Sequence, residues 1–411
     1  MDPRRISHKA SPGRGPSPAG VAAAGLTALA VAMGVGRFAF TPILPLMQQE
    51  TGLSVADGGW LASANYLGYL LGAVAVSAMA RCLRPAAGIR GGLLVIAIAT
   101  LGMGIEERFA AWIVLRAVAG IASASVLVFV SAWSLERLAP AGRPLLNGWV
   151  FAGVGTGIAI AGGFCLVLTQ VGAGSTQAWI GLGVASLVAT AATWRMFGAG
   201  EAARADGEWR SMTLARRFDA ETALLVACYG AFGFGYIIPG TFLPAMARQV
   251  IHDPLVFGWS WPVFGAAAAV SPLLAAMWAR LVGPRRLWML GHLVMAFGVA
   301  LPVWRPGIGS ILIAALLVGG TFMVITQTGM QEARVVAGPQ ATRLMAAMTA
   351  AFATGQVAGP LAVSYLVGPD ANLARPLLAA SLALLASALA LSRSPGHVRA
   401  SAPSRPASIR K

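Results

Sequence analysis

Two arginines stand inside runs of apolar residues, where a cation is costly. Arg37 sits in GVGRFAFTPILP (34–45) and Arg116 in LRAVAG (115–120). A guanidinium at membrane depth costs several kcal/mol or more, so each must gain something specific. Its planar fork is suited to holding an anionic group such as a carboxylate through paired hydrogen bonds. Two other uses fit the same residues. Each arginine could satisfy helix-end carbonyls at a break, which Gly34, Gly36 and Pro42 favour, or snorkel to the surface. Each could also pack on aromatic faces, with Phe38, Phe40 and Trp112 nearby. An ion pair is not on offer, because all 14 Asp and Glu fall in tails, in loops or at the ends of apolar runs.

The elements that position these residues are helices in lipid. Hydrophobic residues make up 57% of the chain and charged residues 11%, with a mean hydropathy of +0.73, against roughly 25% charged in a soluble domain. Twelve apolar segments are long enough, or nearly so, to cross a ~30 Å hydrocarbon core. They are 20–47, 58–80, 88–105, 109–135, 147–170, 178–197, 220–247, 257–280, 286–304, 308–332, 342–368 and 373–392. Backbone polar groups in lipid must be satisfied within their own segment, so the expected fold is all-α and polytopic. Residues 1–19 and 393–411 read as basic tails, and 198–219 as a polar loop between two sets of six spans. The apolar run that follows the first tail is too long for a signal peptide and lacks a clear small-x-small cleavage site.

Charge sets the orientation. Among the 30 Lys and Arg, Arg108, Arg248, Arg305 and Arg375 fall on one side and Arg37 and Arg116 within spans. The rest lie in the tails and in loops on the other side, which makes both termini cytoplasmic, with the chain in the cell (inner) membrane. The net charge of +16 is accounted for without nucleic acid. Cys82, Cys165 and Cys228 show neither disulfide nor metal-ligand spacing, and no cofactor motif is present.

The two sets of six are copies. A shift of 199 residues lays Gly34, Gly36, Leu44, Pro45 and Met47 on Gly233, Gly235, Leu243, Pro244 and Met246. Gly59-Trp60 falls on Gly258-Trp259 and Ala80-Arg81 on Ala279-Arg280. Arg37 falls on Tyr236, so the copies differ at the residue after Gly-x-Gly. Repeats of six spans are the build of secondary transporters, with the site near the midplane between repeats.

Six plus six spans with basic loops after the second and eighth resemble the major facilitator superfamily. GVGRFAFTPILPLMQ followed by GLSVADGGWLASANYLGYLLGA resembles its YbfB/YjiJ group. The resemblance implies that spans one, four, seven and ten line a central cavity. Arg37 and Arg116, roughly 15 and 10 Å from the outer ends of their spans at 1.5 Å per residue, would then face that cavity together. The loop ARLVGPRR (279–286) keeps Arg280, Arg285 and Arg286 of the family's gating element but has Ala279 where an acid is expected. ARCLRP (80–85) is more degenerate, and GVGTGIAIAGG (153–163) is similar to the antiporter motif without its Gly-Pro.

Further candidates for the solute site are Tyr236 and Gln327, with Asn65 and Tyr69 on one face of the second span. Tyr66, Tyr229, Thr326 and Gln331 are polar neighbours. Gly153, Gly157, Gly355 and Gly359 form small-xxx-small spacings for close, sliding helix contacts. His292 is the one embedded histidine and reads as a packing residue. The function expected is movement of a small organic solute, anionic by the two arginines, through alternating access. Export of amphipathic or cationic compounds is the alternative, disfavoured by the missing embedded carboxylate; a non-transporting sensor is a further one. No catalytic constellation suggests an enzyme. A monomer in the bilayer is expected, with protons as a candidate coupling ion.

Overall fold

The computed structural model describes residues 17–79, 85–138, 144–198, 219–250, 258–338, 341–367 and 372–393. The tails and nearly all of the 198–219 loop lie outside the described residues. Among the described residues, eleven helices are long and apolar enough to cross a membrane. The eighth span is the helix Ser260–Val282, whose apolar character is described over Ser260–Ala275. Spans two to seven are Val55–Met79, Pro85–Ile105, Phe109–Leu138, Pro144–Gln170, Ser175–Gly198 and Ala220–Val250. Spans nine to twelve are Pro284–Trp304, Ile308–Ala337, Ala341–Leu366 and Ala374–Arg393. The first and last spans put their outer ends on one side, here the terminal face; the other is the distal face.

Packing repeats between the halves. The second span packs on the fourth as the eighth does on the tenth, and the third on the sixth as the ninth does on the twelfth. The fifth packs on the first as the eleventh does on the seventh. The halves meet along the fifth and eighth spans, the second and eleventh, and the distal part of the first with the seventh. The fourth and tenth spans pack chiefly within their own halves.

The first span corrects one expectation. Gly34, Gly36 and Pro42 do not break it. It runs as an α-helix over Pro18–Leu29, widens to a π-helix over Ala30–Phe38, and returns to α over Phe40–Thr51. Pro42 falls in the first turn after the change, where a missing N–H is tolerated. Close approach is what Gly34 supplies. A Cβ there would lie 2.5 Å from the Gly157 carbonyl carbon, so the first and fifth spans touch backbone to backbone. Gly153 meets the backbone of Leu26 in the same way, and Gly157 that of Ala30. The second half repeats the device. Gly233 abuts the Phe352 backbone, Gly355 that of Gly230 and Phe234, and Gly359 the Ile237 side chain. Without such glycines the helices would stand apart and lose the dispersion contacts that hold helices together in lipid.

Charge also fastens helix ends. The Glu50 carboxylate, at the distal end of the first span, accepts from the Ser175 N–H at 2.9 and 3.1 Å. An anion at that helix N-terminus meets unpaired N–H groups and the positive end of the dipole.

Candidate functional site

Arg37 belongs to the π-segment and is 1% exposed. Its guanidinium carbon lies 4.1 Å from the Tyr69 ring centroid, 5.0 Å from Tyr66 and 5.2 Å from Phe38. Each ring face offers electron density to the cation. The Nε and Nη2 groups are buried and donate to no acceptor among the described residues. These two N–H groups point along one edge of the guanidinium, the edge that matches the two oxygens of a carboxylate.

Arg116 is close by and differently engaged. It is 2% exposed. Its Nη2 donates to the Arg37 carbonyl at 3.3 Å and its Nε to the Leu61 carbonyl at 3.5 Å, and it lies 4.7 Å over Phe40. The acceptor follows from the sequence. Pro42 has no N–H for the turn before it, and the helix changes pitch there, so carbonyls in this stretch take side-chain donors. Asn65 completes the arrangement: its Nδ2 donates to the Gly36 carbonyl at 3.2 Å and to the Arg116 carbonyl at 2.8 Å. Arg116 and Asn65 thus tie spans one, two and four around the widened turn that carries Arg37.

The pseudo-repeat partner has other company. Tyr236 is fully buried and lies between Phe322 (4.7 Å, 16°) and Phe352 (5.6 Å, 3°). Its hydroxyl takes a short hydrogen bond from Gln356 Nε2. Gln356 escaped the sequence reading, since a single glutamine in TGQVAGP carries no pattern. Gln327 is partly exposed on the tenth span. The neighbouring Thr326 carbonyl accepts from Tyr229 at 3.4 Å. His292 is fully buried, its Nε2 accepting from Trp288 at 3.1 Å.

Sequence reading also missed an ion triad at the terminal face. Arg285 Nη1 lies 2.7 Å from Glu221 and 3.3 Å from Glu332, and Nε donates to the Leu391 carbonyl at 3.2 Å. One guanidinium therefore joins the ends of spans seven, nine, ten and twelve, all in the second half. Arg286 is exposed, and the Arg280 side chain lies outside the described residues.

Among the described residues, five side-chain hydrogen bonds join the halves toward the distal face. Thr41 donates to the Gly240 carbonyl (3.0 Å), Ser63 to Val357 (3.5 Å), Ser364 to Ala56 (3.2 Å) and Arg248 to Pro45 (2.8 Å). The Tyr66 and Thr241 hydroxyls bond at 3.1 Å.

This arrangement agrees with what the chain is similar to. Residues 29–392 match the family described as uncharacterised MFS-type transporter YbfB. The chain belongs to that family of major facilitator transporters. The transporter also resembles, at 33% identity over 94 residues, the uncharacterised MFS-type transporter YceJ of Bacillus subtilis (strain 168); that stretch spans 23% of this chain and 24% of the relative. Its fold is similar to a crystal structure of a variant of the nucleoside transporter NupG, with a TM-score of 0.68 and 12% identity. The likeness covers 91% of this chain and 99% of the other, and at that identity it speaks for fold alone. Twelve helices as two six-helix repeats are thus the major facilitator fold, and the chain is a multi-pass membrane transporter, not an enzyme.

Proposed function

We propose that this transporter carries a small organic anion with a carboxylate group, held by the Nε–Nη2 edge of Arg37 and moved by alternating access. The observation that carries the reading is a 99%-buried residue whose guanidinium fork edge has no acceptor among the described residues. A buried donor without a partner costs about 1–3 kcal/mol, more when charged, and an arriving carboxylate would remove that cost. Tyr69 and Asn65 support the edge from the second span. Tyr236 and Gln327 would supply neutral contacts from the other half. Arg116 serves the same site through the backbone it holds. A cationic or amphipathic cargo would want an embedded acid, and the buried acid Glu332 is already paired with Arg285.

The halves 20–197 and 220–392 would rock as units about the glycine-lined contacts, joined by 198–219. The Arg285 triad would keep the second half rigid during that motion. Lys and Arg placement supports a cytoplasmic terminal face in the cell (inner) membrane. Hydrogen bonds gathered at the distal face then correspond to a carrier closed to the outside. Proton coupling, if used, would draw on the rim acids Glu221 and Glu332.

A thermal-shift panel on detergent-purified protein tests the reading. Organic carboxylates should stabilise the wild type and leave Arg37→Ala unmoved. Stabilisation by cations or neutral solutes alone, equal in both proteins, would overturn it.

A further inference from the structure

Tyr66 touches the Arg37 guanidinium and also hydrogen-bonds to the opposite half of the transporter. Its ring lies 5.0 Å from the guanidinium carbon, and its hydroxyl bonds to Thr241 of the seventh span. It is 2% exposed, and Thr241 is fully buried. One turn back on the same helix face, Ser63 bonds to Val357, and beyond it Gly59 packs against Ser364 and Pro360. The 59–63–66 stripe is therefore the seam between the second span and the other half. Beside Thr241, the Gly240 carbonyl takes its bond from Thr41, four residues after Arg37. The seam and the cation thus meet at Tyr66.

We propose that Tyr66 is a latch that holds the distal face shut and takes its position from Arg37. The hydroxyl supplies the bond across the seam. The guanidinium fixes the ring from which that hydroxyl projects, so any change at the guanidinium edge is passed to the seam. The latch deepens the anion reading by naming a residue through which occupancy would reach the gate. Its test uses no solute, so its failure and the failure of the anion reading are separate results.

The experiment measures the distance between spin labels at Thr51→Cys and Arg305→Cys, near distal ends of the two halves, in full-length protein with Cys82, Cys165 and Cys228 replaced by Ser. Tyr66→Phe keeps the ring and removes only the hydroxyl. A net hydrogen bond of this kind corresponds to roughly a three- to tenfold change in an equilibrium. The ratio of long to short distances should rise by that factor. Thr241→Val should give the same rise, and the double variant no further rise, because both remove one interaction. Arg37→Met should also raise the ratio, without adding to Tyr66→Phe. Melting temperatures near wild type for Tyr66→Phe and Thr241→Val would show that the shift is not general loosening. Unchanged distances in Tyr66→Phe, or effects of Tyr66→Phe and Thr241→Val that simply add, would overturn the latch. An Arg37→Met chain that behaves as wild type would overturn its link to the cation.

Discussion

Arg116 gives the sharpest separation between a residue that builds the site and one that binds in it. Replacing it by methionine keeps length and removes the cation. Two hydrogen bonds to carbonyls disappear, at 3.3 and 3.5 Å. Bonds from a charged donor are worth about 1.5–3 kcal/mol each, and these distances put both at the weak end, so about 3 kcal/mol is lost. Contact with Phe40 at 4.7 Å adds about 1 kcal/mol. Against this, a buried cation no longer has to be desolvated, which commonly returns about 1–3 kcal/mol when an apolar residue replaces it. The net expectation is a loss of about 1–3 kcal/mol, with the Arg37 carbonyl left unpaired. Thermal unfolding in detergent should show Arg116→Met several degrees below wild type with no solute present. Carboxylates that stabilise the wild type should still shift it upward. Arg37→Met should do the reverse, melting near wild type and showing no shift. If Arg116→Met melts as wild type does but ignores carboxylates, then Arg116 holds the solute and the division of labour drawn here is wrong.

Other outcomes follow from the same contacts. Gly34→Leu should abolish folded, monodisperse protein in size-exclusion chromatography, because even a Cβ at Gly34 would lie 2.5 Å from the Gly157 backbone; overpacking by far smaller groups costs about 1–3 kcal/mol. Tyr236→Phe keeps the stack on Phe322 and Phe352 but leaves Gln356 unpaired, and should lower stability by about 1–2 kcal/mol in thermal unfolding. Arg285→Ala removes the guanidinium that Glu221 and Glu332 share. The loss should be about 2 kcal/mol, below the 3–5 expected of a fully buried pair because Glu221 keeps some exposure. For orientation, alkaline phosphatase fused after Arg393 should be inactive and one fused at Arg305 active; the opposite pattern would invert the membrane.

Much of the fold was legible because lipid imposes simple rules. Apolar length gives the spans, Lys and Arg placement gives the expected sides, and Gly34/Gly233 with Pro45/Pro244 gives the repeat. Arg37 and Arg116 stood out because nothing nearby in sequence could neutralise them. What each guanidinium meets did not show, since that depends on groups brought by docking: the Leu61 carbonyl lies 55 residues from Arg116. The π-segment was hidden for a related reason. Gly34, Gly36 and Pro42 announce a disturbed helix, but whether it breaks or widens depends on donors from the second and fourth spans. Tyr66 and Thr241 are 175 residues apart, and no local pattern marks either as half of a pair. Glu221 and Glu332 read as rim acids and Arg285 as part of the gating loop, and their pairing shows only once the helix ends are set side by side.

The central claim is that a carboxylate sits on the Nε–Nη2 edge of Arg37. The most direct measurement is calorimetric titration of a stabilising carboxylic acid and its primary amide, which has nearly the same shape and no charge. The account predicts that wild type prefers the acid by roughly thirtyfold or more, the worth of a charge-assisted pair of hydrogen bonds. It also predicts that Arg37→Met binds the two alike. Equal binding of acid and amide by the wild type, or a preference that survives in Arg37→Met, would contradict it.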